Sequence, residues 1–383
     1  MLRLVNLVDG GILNLESQRD CPHKTHCQGC QFLGQNLGQQ KDFKIKKMTE
    51  TLAKLGLSSP QVEFISPGDF ALRDRLDFVY EEGRFGLYDS HQGRIQDLDT
   101  CGQLSPELLR FYLNFRKISW PIKKGSFRLR LGVDGQRGVW LDFANQDIKN
   151  LLEEQTHLRS LMKMAFVEIG QKSKVLVNRD GKLKLVDPEM KEWFETRFQG
   201  KNFPLLSYVS SFTQPSRKAN LILGEILEQH YANKTFRKTL EFGAGVGNLS
   251  LIFLNQSVHF CAVDFDEQGG IALKENFKRT GQEEKTEIAI KDFQRIANYD
   301  FSDCDFLILN PPRSGLGEFL KPLSYSLNRP KDIFLMSCFL ESWQKDVRIL
   351  KEKGYSLQRI ALFDQFPQTK HFEILSFWQL SSQ

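Results

Sequence analysis

The sequence predicts an α/β protein in which a mostly parallel, doubly wound sheet follows a β-rich region with antiparallel pairing. After about residue 205, short apolar runs alternate with helical segments, which is the pattern of a parallel sheet covered on both faces. Before that point, two alternating apolar runs turn at Asp-Gly pairs, a strong signal for hairpins. Because 383 residues exceed one ordinary core, we predict two domains, residues 1–204 and 205–383.

The β-rich region begins with a cysteine-rich segment and a basic helical stretch over 41–47, and continues with extended, turn-rich sequence over 60–100. An amphipathic helix is predicted over 106–118. Two hairpins follow, one pairing 127–131 with 139–141 and the other pairing 174–177 with 183–186. These elements indicate an antiparallel sheet.

The second region alternates strands with helices. Helices are predicted from Gly247, from Glu267 and near Leu340, and strands over 239–242, 258–263, 288–290, 306–309, 333–336, 357–363 and 374–378. The last two strands have no helix between them, so we expect an antiparallel hairpin at one edge of the sheet.

Composition leaves several function classes open and excludes others. The net charge of +5, from 52 basic and 47 acidic residues, permits a nucleic-acid partner without requiring one. No apolar run approaches 18 residues, so no membrane span is predicted. The start lacks the apolar core of a signal peptide, and the seven cysteines are an odd number. We therefore expect a cytoplasmic protein with reduced thiols, and a monomer.

A glycine-rich loop follows the first predicted strand of the second region and reads Glu241-Phe242-Gly243-Ala244-Gly245-Val246-Gly247. Alternating glycines let the backbone approach a ligand closely. The next strand ends at Asp264, which can accept ribose hydroxyls, and Asp292 ends the third strand, beside an expected adenine. The loop is shorter than the dinucleotide motif and suits S-adenosylmethionine, which has no pyrophosphate. A plain strand–helix turn is the alternative, but the two aspartates favour a cofactor site.

A rigid turn, Asn310-Pro311-Pro312-Arg313, ends the fourth strand. Consecutive prolines remove two backbone donors, and the carboxyl edge of such a sheet faces the substrate. A stiff loop with an exposed arginine is one alternative. Another is the Asn-Pro-Pro-aromatic motif of amino-methyltransferases, but Arg313 stands where that motif has its aromatic residue.

Cys338 and Glu373 are the predicted nucleophile and base. Cys338 ends the fifth strand just before a helix, whose N-terminus should lower the pKa of the thiol. Glu373 lies between Phe372 and Ile374, where desolvation would raise its pKa toward the range of a working base. Most single cysteines are buried small hydrophobes, and Cys261 is interpreted in that way, as is Cys304.

A thiolate, a carboxylate and a methyl donor together suit methylation at carbon 5 of uracil. Carbon 5 is a poor nucleophile until a thiolate adds to carbon 6, after which it can attack a sulfonium methyl group. A base then removes the carbon-5 proton, and elimination frees the enzyme.

Four other cysteines have the spacing of metal ligands: Cys21, Cys27, Cys30 and Cys101. Four thiolates suit a zinc ion or a four-iron cluster equally well, and spacing alone does not separate the two.

The stretch from Ser211 to Glu373 resembles the RNA uracil-C5 methyltransferase family. The likeness lies in Phe212-Thr213-Gln214, the glycine loop, Asn310 to Gly315, Ser337-Cys338 and, most specifically, Phe366-Pro367-Gln368-Thr369-Lys370-His371-Phe372-Glu373. The resemblance implies a Rossmann-like, S-adenosylmethionine-dependent methyltransferase sheet, with Cys338 as nucleophile and Glu373 as base. It also implies that Gln214 contacts cofactor or base, and that Asn310 and Arg313 line the uracil pocket.

For the cysteine quartet, the resemblance favours a [4Fe-4S] cluster over zinc, in a β-rich, iron–sulfur RNA-binding domain. Many family members have Asp where this chain has Asn310. Asn at this turn resembles the subgroup that methylates 23S rRNA at the site called uracil 747 and lacks an N-terminal β-barrel (TRAM) domain. Only twenty residues precede Cys21, too few for such a barrel.

Three alternatives stay open. The substrate could be uracil 1939 of 23S rRNA or the T-loop of tRNA, or the chain could be a non-catalytic iron–sulfur protein that binds RNA. Basic residues that could meet RNA phosphates are Lys44, Lys46, Lys47, Arg73, Arg75, Arg128 and Arg130.

Overall fold

The computed structural model describes residues 21–57, 61–89, 93–292, 301, 303–324 and 329–381. The predicted absence of an N-terminal β-barrel concerns residues 1–20 and lies outside the described residues. Across these described ranges, no helix is both long and apolar enough to cross a membrane.

The first half of the chain builds one large sheet and a separate hairpin. Its elements are α1 (Leu37–Lys54), β1 (Glu63–Ile65), β2 (Arg75–Glu81), β3 (Arg84–Asp89), β4 (Arg94–Asp97), α2 (Pro106–Phe115), β5 (Lys124–Leu131), β6 (Arg137–Asp142), α3 (Asn145–Glu154), α4 (Thr156–Met162), β7 (Phe166–Ile169), β8 (Lys174–Arg179), β9 (Lys182–Val186), β10 (Lys191–Phe198) and β11 (Lys201–Ser207).

Strands β2 to β9 form a sheet in the order β4-β3-β2-β5-β6-β7-β8-β9. Neighbours are antiparallel except for β6 and β7, which run parallel. Both predicted hairpins are confirmed, as β5–β6 and β8–β9. Asp180 and Gly181 have positive φ, 52° and 76°, as a two-residue turn between twisted strands requires.

An aromatic core holds this sheet against α2. The helix presents Leu108, Phe111, Tyr112 and Phe115 on one face, at the spacing of an amphipathic helix. Phe115 contacts Phe127 of β5 edge-on, with ring centroids 4.7 Å apart. The predicted helix over 106–118 is therefore present and ends at Phe115.

The second half of the chain builds the predicted doubly wound sheet. Its elements are α5 (Arg217–Tyr231), β12 (Phe236–Phe242), α6 (Asn248–Leu254), β13 (Ser257–Asp264), α7 (Glu267–Arg279), β14 (Thr286–Ile290), β15 (Phe306–Leu309), β16 (Asp332–Ser337), α8 (Leu340–Glu352), β17 (Tyr355–Phe363) and β18 (Glu373–Leu380).

The strand order in this sheet is β1-β17-β18-β16-β15-β12-β13-β14. The strands run parallel except β18, which is antiparallel to both of its neighbours. The predicted pairing of the last two strands is confirmed, but their predicted place at the edge is wrong. Strand β1, from the N-terminal region, pairs with β17 and forms the edge, so β17 has a neighbouring strand on both sides, as β18 does.

Helix α1 also packs on this second sheet. Its Met48 and Leu52 are fully buried in the core that covers one face of the sheet. Lys44, on the same helix, forms a buried ion pair with Asp364 just after β17, with Nζ to Oδ1 at 2.7 Å. The suggestion that Lys44 meets RNA phosphates is therefore wrong. The predicted domain boundary at residue 204 stays a prediction. Helix α1 and strand β1 precede that boundary but belong to the second sheet and its core.

Replacing Lys44 with Met is expected to lower the free energy of unfolding by about 3–5 kcal/mol, because Asp364 would keep a buried charge without its partner. Urea unfolding measures the change. Lys46→Met is the matched control, since Lys46 is exposed on the same helix. Equal stabilities of the two variants would contradict the buried pair.

Buried arginines of the first sheet hold the linker between β11 and α5. Arg130 is 1% exposed, and its guanidinium donates to the carbonyl oxygens of Tyr208 and Val209, both at 3.0 Å, and to Oγ1 of Thr213 at 2.8 Å. Arg75 donates to the carbonyl oxygen of Thr213 at 2.5 Å. The suggestion that Arg130 contacts RNA phosphates is thus wrong, because the side chain is buried against the linker.

Candidate active site

The candidate site lies where the strand order reverses, between β12 and β15. In a doubly wound sheet, the carboxyl ends of the strands on either side of such a point form a crevice. The glycine loop follows β12, Asp264 ends β13, Asn310 follows β15 and Cys338 follows β16. The fold thus brings the predicted cofactor and catalytic residues to one edge of the sheet.

Strand β18 brings Glu373 to the same edge because it runs against β16. The register pairs Ser337 with Ile374, so continuing it by one position sets Cys338 opposite Glu373. Side chains at directly opposed positions of antiparallel strands have Cβ atoms about 4.5–5.5 Å apart. The two predicted catalytic residues, 35 positions apart in sequence, are therefore neighbours.

The environment of Cys338 differs from the one predicted. Burial raises the pKa of its thiol, and the negative charge of Glu373 raises it further. The charge of Arg313 and a hydrogen bond from it act in the opposite direction. The prediction of a lowered pKa is wrong, because desolvation of this half-buried thiol and the charge of Glu373 outweigh the influence of Arg313.

Glu373 is buried, and burial raises the pKa of its carboxyl to about 7. A hydrogen bond from Gln365 and the charge of Arg313 partly oppose that rise. The predicted direction of this pKa is confirmed. A carboxyl with a pKa near 7 can take up and release a proton at neutral pH, as a general base must.

Gln365 is a site residue that sequence reasoning missed. Its Nε2 donates to Oε1 of Glu373 and to Oε1 of Gln214, both at 2.9 Å. Gln214 is thereby linked through Gln365 to Glu373, the predicted base, although it precedes α5 and lies far away in sequence. Polar residues are common in turns, so the residue type of Gln365 does not indicate a functional role. The one signal in the sequence is its position directly before the Phe366-to-Glu373 segment.

The glycine loop is shaped by close contacts that exclude side chains. Gly243 has a φ of 79°, and a Cβ there would lie 2.2 Å from the carbonyl oxygen of Asn310. Asn310 in turn donates from Nδ2 to the carbonyl oxygen of Gly243 at 3.3 Å. A Cβ at Gly247 would lie 2.7 Å from Leu273, whereas one at Gly245 would meet nothing within 4 Å. The loop is therefore packed tightly on both sides of Gly245 and open at Gly245 itself.

Two buried carboxylates support this loop. Asp264 accepts from the backbone of Gly245 at 2.7 Å and from that of Asp266 at 2.9 Å, and burial raises its pKa. Glu241 is fully buried, and its pKa is raised to about 8 by burial and by Asp264. One of its oxygens accepts from Ser250 Oγ, while Oε1 is buried without a partner. The loop therefore combines open space at Gly245 with a buried acidic oxygen of Glu241 that has no hydrogen-bond partner.

Asp292 is the residue predicted to lie beside the adenine. It is exposed and falls two residues beyond the end of β14, at Ile290. Its predicted place beside an adenine stays a prediction.

Phe212 lies close to the site in sequence, and the sequence alone does not predict that its side chain is exposed. Its ring is 67% exposed two residues before Gln214, and the guanidinium carbon of Arg75 lies 5.1 Å from the ring centroid. A large aromatic ring exposed next to a catalytic crevice can stack on a base.

The cysteine quartet gathers around one small cavity, whose wall also includes Leu33, Phe70 and Leu98. Burial and the charges of Cys101, Cys27 and Cys21 raise the pKa of Cys30 to about 12. Nevertheless, no three His, Cys, Asp or Glu side chains among the described residues converge closely enough to hold a single metal ion. The cluster and its four ligands stay predictions.

Comparison with known proteins identifies the family. The family model for tRNA (uracil-5-)-methyltransferase matches residues 146–379. An uncharacterized RNA methyltransferase of Bdellovibrio bacteriovorus is 41% identical over 368 residues, covering 94% of this chain and 95% of the relative. The 23S rRNA (uracil(1939)-C(5))-methyltransferase of Marinomonas sp. is 25% identical and covers 98% of this chain and 83% of its own length.

The fold has a solved counterpart as well. The tRNA (uracil-54, C5)-methyltransferase of Pyrococcus abyssi, solved with S-adenosyl-L-homocysteine, superposes with a TM-score of 0.67 at 20% identity. The superposition covers 92% of this chain and 86% of that one. With the family model matching well over half of the chain, this protein belongs to the tRNA (uracil-5-)-methyltransferase family and is an S-adenosylmethionine-dependent RNA uracil-C5 methyltransferase.

Proposed function

We propose that this enzyme methylates its uracil through a covalent bond between Cys338 and carbon 6 of the base, with Glu373 as the base that removes the carbon-5 proton. The observation that supports this proposal is the opposed placement of Cys338 and Glu373 across β16 and β18, at the edge that also carries the glycine loop. A nucleophile and a base must both reach one ring, and neighbouring strand positions allow it.

The residues act in two stages. The Cys338 thiolate forms a bond to carbon 6, and carbon 5 becomes nucleophilic enough to take a methyl cation equivalent from a sulfonium. Glu373 then accepts the carbon-5 proton, the released electron pair forms the carbon 5–carbon 6 double bond, and the carbon–sulfur bond breaks to return the thiolate. Arg313 lies close enough to the thiol to stabilise its charged form.

S-adenosylmethionine supplies the electrophilic methyl group, and the loop from Glu241 to Gly247 fits it. The open position at Gly245 leaves room for the nucleoside, and Asp264, at the end of β13, is the proposed acceptor for its ribose hydroxyls. The contact between Gly243 and Asn310 sets the distance between the cofactor loop and the loop that carries Arg313.

Replacing Gly243 with Ala is expected to weaken S-adenosylmethionine binding at least about tenfold. A Cβ would overlap the carbonyl oxygen of Asn310 and push the two loops apart. Titration calorimetry measures the affinity. Gly281→Ala is the matched control, since Gly281 also has a positive φ, 68°, but has open space around its Cβ. Equal affinities of the two variants would show that the close approach of the loops is unimportant.

For the substrate, we propose a uracil of the 747 type in 23S rRNA. Asn310 supports this choice through the resemblance to that subgroup. A single-stranded RNA loop also suits the site, because displacing a base from it costs the least unstacking and unpairing free energy. Phe212 offers the stacking surface that a displaced base needs. A relative from Sulfurovum, 25% identical, is a tRNA/tmRNA (uracil-C(5))-methyltransferase, so transfer RNA is the comparison substrate.

The decisive experiment incubates the enzyme and labelled S-adenosylmethionine with unmodified 23S rRNA and, separately, unmodified tRNA. We expect 5-methyluridine in a 23S rRNA loop and none in tRNA. Mapping 5-methyluridine in a strain without the gene identifies the nucleotide. A missing methyl group at the 1939 site or in the T-loop would overturn the assignment to the 747 type.

We also propose that Cys21, Cys27, Cys30 and Cys101 hold a [4Fe-4S] cluster. Four thiols line one cavity, and burial together with the other three raises the pKa of Cys30. Such a donor set is one that a cationic iron centre would stabilise. The resemblance to the family favours a cluster over zinc, although four thiolates suit either. A structural role suits the position, since Phe32 just beyond Cys30 donates its backbone N–H to the carbonyl oxygen of Gln368, at 2.9 Å.

Protein purified without oxygen is expected to be brown and to contain about four iron atoms per chain. Replacing Cys30 with Ser should remove the colour and the iron, because it removes one of four ligands. Cys261→Ser is the control, since Cys261 lies on β13 away from the quartet. Colourless protein with one zinc per chain would reverse the assignment. We further propose that the enzyme acts as a cytoplasmic monomer.

A further inference from the structure

We propose that Gln365 is a positioning residue that sets the orientation of both Glu373 and Gln214, and that it thereby helps to select uracil over cytosine. This inference rests on the proposed function, because it assigns a partner to the proposed base. Gln365 is 2% exposed and lies between the two side chains, donating from one nitrogen to an oxygen of each.

The chemistry of the three side chains allows only one orientation. An ionised carboxylate can only accept hydrogen bonds, so Gln365 must present its NH2 group to Glu373. The same NH2 group donates to Gln214, so Gln214 must present its oxygen. The group that Gln214 can then offer to a ligand is its own NH2, a donor.

That donor distinguishes the two pyrimidines. Uracil has carbonyl oxygens at carbons 2 and 4, which accept hydrogen bonds. We place the Gln214 donor at carbon 4 because that atom is bonded to carbon 5, where Glu373 acts, and Gln365 joins the two side chains. Cytosine has an amino group at carbon 4, which would face this donor without a partner. A site that pairs its buried polar groups with one base rejects the base that leaves them unpaired.

The segment that carries Gln365 is held rigidly on both sides by the N-terminal region. On one side, Asp364 pairs with Lys44 and donates its backbone N–H to Ile65 of β1 at 2.8 Å. On the other side, Gln40 of α1 accepts from the backbone of Gln368 at 2.9 Å and donates to its side chain at 3.1 Å. These contacts are buried, so the position of Gln365 does not depend on RNA being bound.

The hydrogen bond from Gln365 favours the ionised form of Glu373, and its loss raises the pKa of that carboxyl further. The test replaces Gln365 with Met, which has a similar length and no donor. The rise of the methylation rate with pH should move to higher pH, and at pH 7 the rate should fall about tenfold. The covalent RNA–protein adduct should accumulate, because addition of the thiol does not need Glu373 but release does.

A cytosine-containing RNA of the same sequence completes the test. The ratio of adduct formed on uracil to adduct formed on cytosine should fall in the variant. Gln358→Met is the matched control, since Gln358 is exposed on β17 and bonds only locally. If the Met variant does not fold, Gln365→Glu has the same shape and should shift the pH profile further, by repulsion of Glu373.

The outcomes separate the two proposals. A variant with the wild-type pH profile, adduct level and base preference would overturn the role of Gln365 and leave the proposed function intact. Equal losses of adduct and of turnover, with an unshifted profile, would show a purely structural role and also overturn it. Wild-type enzyme that methylates RNA without forming an adduct would overturn the covalent mechanism, and this inference with it.

Discussion

Cys338→Ala enzyme is expected to lose methylation by roughly 10⁴-fold or more, because without a thiolate at carbon 6 the uracil carbon 5 stays a poor nucleophile. Binding of S-adenosylmethionine should be unchanged, since the cofactor loop follows another strand, β12. Transfer of a labelled methyl group to RNA measures the rate, and calorimetry measures the binding.

Cys261→Ala is the matched control for that change. Cys261 is a half-buried cysteine on β13 with Glu287 as its neighbour, outside the crevice, and its loss should leave the rate within a factor of two or so. Methylation by the Cys338→Ala enzyme at a rate near that of the control would rule out covalent catalysis by this residue.

Glu373→Gln enzyme is expected to form the covalent RNA adduct and to release it slowly, with turnover lowered by roughly 10²–10⁴-fold. The amide has the same shape as the carboxyl but cannot accept the carbon-5 proton, so elimination of the thiolate stalls. Denaturing gels with labelled RNA should therefore show a protein–RNA band that the wild-type enzyme shows only weakly.

Two further measurements bear on Glu373. With Cys338 also replaced by Ala, the band should disappear, since the sulfur atom forms the bond. In the wild-type enzyme, turnover should rise with pH through about 7, because Glu373 works as a base only when ionised. The raised pKa of the Cys338 thiol acts in the same direction. A rate that falls as pH rises through 7 would contradict the assignment.

Much of this architecture was predictable because its signals are local. Alternation of apolar strands with helices predicts the doubly wound sheet. Asp-Gly pairs predict the two hairpins, since both residues of each pair adopt the positive φ that tight connections often require. The glycine loop and Cys338 lie at the carboxyl ends of strands, where such a sheet places its ligands. The raised pKa of Glu373 followed from its apolar neighbours in sequence.

Other features depend on contacts between residues far apart in the chain. The pKa of Cys338 is raised rather than lowered, because burial and Glu373 act on it and neither can be read from the adjacent helix. Gln365 contacts both Gln214 and Glu373 only in the folded chain, because the three residues lie on separate segments of the sequence. The basic stretch of α1 predicts that Lys44 is exposed, but α1 packs on the second sheet and buries Lys44 against Asp364.

The sequence by itself determined the family and the doubly wound sheet and supplied the proposed reacting groups, because strand–helix alternation and motif spacing are properties of neighbouring residues. The tertiary structure decided which groups meet. The antiparallel insertion of β18 sets Glu373 opposite Cys338. The packing of α1 and β1 on the second sheet buries the segment around Gln365, which we propose to position Glu373. Desolvation and long-range pairing arise only in the folded chain, and they determine how these side chains ionise and which partners they bind.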